Sequence, residues 1–349
     1  MAYTTIDNPS EYFLTKLYAG NGSTQDIGGI GFQPDWVWLK NRTDAGNDPV
    51  SIDSVRGVTK EITTNTELAE VTNADGLTAF GSDGFSVGDD DMYNTNAENF
   101  VSWNWLAGTS FSNDASSTGV GSIDSAGSVS TTSGFSIIGY TGTGSNGTVA
   151  HGLGVAPSMI IFKNRDTTNS WNVYHTALGN GKFIRLEDTG GEGNTGRFNN
   201  TSPTSSVFSV GVNGATAVNG NGNSIIAYCF AEVKGYSKFG SYTGNGNADG
   251  TFVYTGFKPA WLMIKRTDSA NAWIIQDNKR DPFNVVTLNL NANTNGADNN
   301  NQGFLDFTAN GFKLRKVDTG TNASGGTYIY MCFGSSPFVT STGIPATAR

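Results

Sequence analysis

At 349 residues with 46 glycines and only 15% charged side chains, the chain is long enough for two or three cores and is biased toward strands and turns over long helices. Its 21 basic and 30 acidic side chains give a formal charge of −9, which excludes the phosphate-neutralising surface that nucleic-acid binding requires. No apolar run approaches the roughly 18 residues of a membrane span, and MAYTTIDNPSEYF lacks the basic and apolar parts of a signal peptide, so the product is expected to stay where it is made until something else carries it out.

Four landmarks follow in chain order, and they recur. A glycine-rich turn opens at Tyr18 (LYAGNG), a strand runs through GFQPDWVWLKNR, a short apolar element surrounds Phe85 (GFSVG), and an apolar strand ends at Trp105 (FVSWNW). The turn returns at Tyr140 and Tyr242, offsets of 122 and 102 residues; the proline of the second landmark returns at Pro157 and Pro259, with a lysine six positions later each time (Lys40, Lys163, Lys265). VFSVG around Phe208 and GFKLR around Phe312 repeat the third landmark, and strands ending at Phe230 and Phe333 the fourth. Such recurrence predicts a repeat architecture. Short β-branched and aromatic runs punctuated by Gly, Asn, Asp and Ser read as strands and tight turns. The expectation is an all-β protein of three tandem β-sandwich domains, jelly-roll or lectin-like: residues 1–109, 134–235 and 236–349, the last with a C-terminal tail. Residues 110–133, almost purely small and polar, read as a flexible or loosely packed linker. The best helical candidate is TKEITTNTELAEV, residues 59–71.

Register decides whether the tryptophans form a ligand platform or a core. Counted from the prolines, Trp36 aligns with Met159 and Trp261, and Trp38 with Ile161 and Met263. A position that accepts Trp, Met and Ile fills apolar volume. The alternate positions Val37 and Leu39 are apolar in every copy, so the strand is read as central, with both faces covered. Cys229 and Cys332 share one register and are read as buried free thiols.

Candidate chemistry is sparse. Of the two histidines, His151 is read as a surface turn residue, and His175 falls where the other copies carry Asp53 and Asp277. Neither lies in a nucleophile-elbow or metalloprotease motif, and no catalytic residue, cofactor or structural metal site is assigned. A carboxylate pair could serve glycan cleavage, but among 30 acids any pair can be nominated. Asp89, Asp90 and Asp91 are calcium candidates that lack the alternating spacing of a loop site. The repeated Asp-x-x-Arg, Asp53 with Arg56 and Asp277 with Arg280, makes Arg56 and Arg280 candidate partner contacts or else internal turn-fixing ion pairs. Lys40, Lys163 and Lys265, with the arginines after them, read as charged strand exits. The terminal segments carry Tyr12, Phe13 and Phe338, apolar residues expected to order against a partner.

The phrases MAYTTIDNPSEYF, FQPDWVWLKNR, DSVRGVTK, DGFSVG, AHGLGVAPSMIIFKNRD, AYCFAEVKGYSKFGSYTGNG and FVTSTGIPATAR resemble tandem-repeat virion proteins of marine bacteriophages, cyanophages included, over nearly the whole chain. The second copy departs from the first in having SSVFSVG for SDGFSVG. The resemblance implies a non-enzymatic component of the virion surface, assembled in the host cytoplasm, on capsid or tail, with other virion proteins as partners and self-association open. Two readings of its role compete: a structural or decorating protein, and a lectin-like fibre tip whose loops NANTNGADNNNQ and EDTGGEGNTGRFNN touch a host glycan.

Overall fold

The computed structural model describes residues 2–194, 196–212 and 215–346. It is nearly all β, 42% strand against 4% helix, as the composition predicts. One strand order occurs three times. In the first repeat the large sheet begins with an edge strand, Phe13–Ala19, followed by the closing strand Asn99–Trp105, the proline strand Trp36–Asn41 and the turn strand Val50–Asp53. The same order joins Phe135–Thr141, Ser224–Phe230, Met159–Asn164 and Asn172–His175 in the second, and Ser237–Thr243, Thr327–Pro337, Phe257–Arg266 and Trp273–Asp277 in the third. The third landmark of each repeat lies in a small sheet that covers one face of the large one: Gly84–Val87, Val207–Val210 and Gly311–Leu314.

Period-two alternation sends the proline strand's side chains to two different cores. Val37 and Leu39 lie under their own small sheet with Ile27, Phe85 and Val87; Ile160 and Phe162, and Leu262 and Ile264, do the same in the other repeats. Trp36 and Trp38 point the other way, into one large cluster that also contains Met159, Ile161, Trp261 and Met263. The central-strand reading therefore holds, and the second face is covered by the other two repeats. At the middle of this cluster three register-equivalent side chains meet: Trp105 and Phe230 at 6.5 Å between ring centroids, Trp105 and Phe333 at 5.7 Å, Phe230 and Phe333 at 6.1 Å. Trp36 stacks on Tyr228 of the second repeat at 4.5 Å.

This shared core corrects the picture of three sandwiches on a string. Each repeat is sandwich-like, but its inner sheet face is buried by its neighbours. Residues 110–133 are not a loose linker: Thr109–Asn113 and Ser125–Ser130 form a hairpin that extends the second repeat's large sheet to eight strands. Small polar side chains suit such a hairpin, because the pairing is backbone to backbone and Gly127 passes so close to Ile137 that a Cβ there would lie 1.8 Å from its carbonyl oxygen. Residues 59–71 are not helical either; Lys60–Thr63 pairs with the turn strand and Val71–Thr72 pairs back on it. Tertiary pairing overrides the local helical preference there.

The terminal aromatics face the chain itself. Phe13 is 3% exposed and stacks on Phe333 at 4.9 Å, Tyr12 packs edge-on against Tyr236, and Phe338 lies edge-on to Tyr3. Tyr3 donates to the Gly256 carbonyl at 2.8 Å, Thr4 to the Lys234 carbonyl at 2.7 Å, and Ser341 N–H to Asp7 at 2.6 Å, so both terminal segments seal the third repeat. Of those segments, Met1 and residues 347–349 lie outside the described residues.

Replacing Trp36 or Trp261 by Ala is expected to lower stability by about 3–5 kcal/mol in a single transition of the whole chain, read by chemical denaturation. Limited proteolysis is expected to spare Thr109–Asn113 and Ser125–Ser130, since their backbone is paired.

Candidate functional site

Most of the charged and polar residues singled out by the sequence lie inside the contacts between repeats. The three recurrent lysines are buried, contrary to their reading as strand exits. Each extends from the end of its proline strand to a backbone carbonyl of another repeat. Lys163 Nζ donates to Glu67 O of the first repeat at 2.9 Å, Lys265 Nζ to Thr189 O of the second at 2.9 Å, and Lys40 Nζ to Thr294 O of the third. The direction is cyclic: second to first, third to second, first to third. Tryptophan N–H groups follow the same cycle, Trp171 Nε1 reaching Thr63 O at 2.9 Å and Trp273 Nε1 reaching Arg185 O at 2.7 Å. Trp38 acts through Thr64, whose hydroxyl donates to Ala292 O at 3.1 Å.

The Asp-x-x-Arg pairs are internal. Arg56 Nε donates to Asp53 Oδ2 at 2.5 Å, and Arg280 Nε to Asp277 Oδ2 at 2.6 Å, with all four side chains fully buried. The rest of each guanidinium fork is occupied within the chain, by Ser51 O, Lys60 O, Glu70 and Tyr228 OH for Arg56 and by Ile275 O and Asp298 for Arg280, which rules out the partner-contact reading of both arginines. Asp53 and Asp277 also accept across repeats, from Tyr228 OH at 2.7 Å and from Trp103 Nε1 at 3.3 Å. Glu70 binds Arg56 at 3.3 Å and Arg165 of the second repeat at 2.9 Å; Asp298 in the same way binds Arg280 at 2.8 Å and Arg42 of the first repeat at 2.7 Å.

The second repeat replaces this pair with His175 and Leu178, and Leu178 packs against the shared core. His175 Nδ1 accepts from Ala177 N–H at 3.1 Å, so Nε2 carries the proton toward Tyr330 O of the third repeat at 3.3 Å. Burial lowers its pKa to about 4, and the ring is neutral. His151, read from the sequence as a surface residue, is fully buried and likewise lies between Leu153 N–H and Thr204 O.

Burial likewise depresses the lysines, Lys40 to about 7 despite attraction from Asp48 and Asp298, and Lys163 and Lys265 to about 8. Burial opposes the charge on Arg56 too, but there Asp53, Tyr228 and Glu70 prevail and raise its pKa. An amine near neutrality has the basicity of a proton-transfer group, yet each of these points into an inter-repeat seam and is occupied by carbonyls. The arrangement is chemically a set of clasps.

Asp89, Asp90 and Asp91 do not converge on a common point. Asp90 caps the short helix Asp91–Asn94 through Met92 N–H and accepts from Asn73, while Asp89 and Asp91 are exposed. Among the described residues no group of three His, Cys, Asp or Glu side chains is placed to hold a metal ion. Cys229 and Cys332 are buried free thiols, as their shared register predicts. The loops nominated for glycan contact supply clasp acceptors, Thr189 O in one and Thr294 O and Asp298 in the other. Sequence reasoning missed Glu67, Glu70 and Asp298 because nothing local marks them; the recurrence of a lysine at the end of an apolar strand was the available signal.

Folded Lys40 has its pKa below the ordinary lysine value of 10.5, so between the two the unfolded chain holds more protons and stability rises with pH. Denaturation free energy is expected to increase from about pH 7 to about pH 9, with a smaller slope in Lys40→Met. Asp53→Ala, which leaves Arg56 buried beside an empty position, is expected to cost about 3–5 kcal/mol by the same measurement.

A family described as a domain of unknown function (DUF7483) matches residues 8–337, and the chain belongs to that family. Its span covers the large-sheet strands of all three repeats. No curated protein and no solved structure matches the chain.

Proposed function

We propose that the protein is a non-enzymatic component of a bacteriophage virion surface, a structural or decorating protein of capsid or tail that acts by being held in place. The observation that carries this reading is the cyclic set of inter-repeat clasps: the recurrent lysines, the carboxylates of Asp53, Asp277, Glu70 and Asp298, and His175 all hold one repeat to another. Such a body resists local opening, which suits a particle component exposed to the medium. The virion assignment itself rests on the likeness of the chain's phrases to tandem-repeat virion proteins of marine bacteriophages.

The lectin-like alternative is weakened by the placement of its two nominated loops, whose backbone or carboxylate groups already serve as clasp acceptors. A decorating role needs only outward surface and an attachment point. Immunogold electron microscopy of purified particles, with antibody against this chain, is expected to label the head or tail in intact virions. Particles that carry no label and no copy of the chain by mass spectrometry would overturn the proposal.

A further inference from the structure

The three repeats differ in how their edge strands end. In the second, Gly134 O accepts from Ala231 N–H and Gly142 N–H donates to Asn223 O, so even-numbered positions of the edge strand bond to the closing strand. Ile137 and Gly139 therefore turn their N–H and C=O groups outward, where Ser128 and Ala126 of the added hairpin pair with them. In the third repeat, Gly334 N–H bonds to Tyr236 O and Gly244 N–H to Gly326 O, fixing the same phase. Phe239 and Ser241, in the positions of Ile137 and Gly139, direct their backbone groups outward, and among the described residues no strand pairs with them on that side.

Space is available beside this edge. A cleft of about 490 Å³ runs along Ser241, Tyr242 and Thr243 and is walled by Ala177, Leu178, Lys182 and Glu192 of the second repeat. Lys182 and Glu192 form an ion pair, so that wall offers no net charge to an occupant. The first repeat's edge is different: the cleft along Phe13, Leu14 and Thr15 is only about 150 Å³.

We propose that the open edge of the third repeat is a docking site for one extended, uncharged, small-residue strand of a partner protein, added antiparallel beside Phe239 and Ser241, between the edge's two closed ends, where Ser237 N–H donates to Val233 O and Thr243 O accepts from the Thr251 hydroxyl. Ser125–Ser130 fills the equivalent position of the second repeat in cis and defines the chemistry: SAGSVS, with a glycine where the strands approach most closely. Main-chain hydrogen bonds supply the affinity in this mode, and side-chain size supplies the selection. The inference stands on the sheet edge alone and is independent of where the protein is displayed.

The probe is a fluorescent peptide of the chain's own residues 122–133, SIDSAGSVSTTS, titrated into the full-length protein. Saturable binding of one peptide is expected, with slowed amide exchange at Phe239 and Ser241. Ser241→Pro removes an outward donor on an edge strand, a position where proline is tolerated, and is expected to weaken binding at least about tenfold. A peptide carrying Gly127→Val is expected to lose binding as well, a comparison that needs no change in the protein. Absence of binding, exchange protection at Ile137 and Gly139 instead, or equal binding of the glycine and valine peptides would each overturn the proposal.

Discussion

The contact on which the rest of the structure depends is the meeting of Trp105, Phe230 and Phe333 between three sheets. It makes the inner face of every large sheet a part of one core, and it sets what the neighbouring positions must be. Side chains one strand over, Trp36, Met159 and Trp261, have to fill whatever volume the first three leave. Because the three repeats lie in one chain, they need not be identical: one Trp and two Phe share the middle, where three copies of a single repeat would place one residue type three times. Close packing tolerates such exchange when total volume is preserved.

Around this apolar centre the recurrent lysines and the Trp171 and Trp273 N–H groups share one direction, in which each repeat donates to the one before it in the cycle, while the backbone N–H groups of Glu70, Glu192 and Asp298 donate back the other way. A buried lysine or Asp–Arg pair is a poor source of stability in itself, since desolvation offsets much of the attraction. Its value here is directional: Lys163 finds Glu67 O, and Asp53, already paired with Arg56, finds Tyr228, only when the repeats meet in one orientation. The second repeat differs where His175 and Leu178 stand for Asp and Arg, and there a neutral imidazole still bonds across the seam through Tyr330 O. The repeat that lacks the ion pair is also the one whose edge strand carries the extra hairpin.

Much of this was legible in the sequence and some was not, for identifiable reasons. The recurrence of Tyr18, Pro34, Lys40, Phe85 and Trp105 marked the repeats, and the exchange of Trp, Met and Ile at one register marked a core. Nothing in a linear pattern says which apolar face is covered by a sheet of the same repeat and which by another repeat, so the strand through Trp36 was read as central while the shared core went unseen. For the same reason Lys40 looked like an exit to solvent: its partner, Thr294 O, is 254 residues away and is a backbone atom with no side-chain signature. The small polar composition of residues 110–133 suggested disorder because composition measures side-chain burial, whereas that hairpin is held by backbone pairing.

The central claim is that the repeats share one core and fold as one body. It is tested most directly by expressing residues 109–235 alone, the second repeat with its hairpin, and following their unfolding by circular dichroism and sedimentation. With Trp171, Tyr228 and Phe230 stripped of their neighbours, the account predicts a fragment that is unfolded or that self-associates to cover that face. A folded monomer with a melting temperature near that of the whole chain would contradict it.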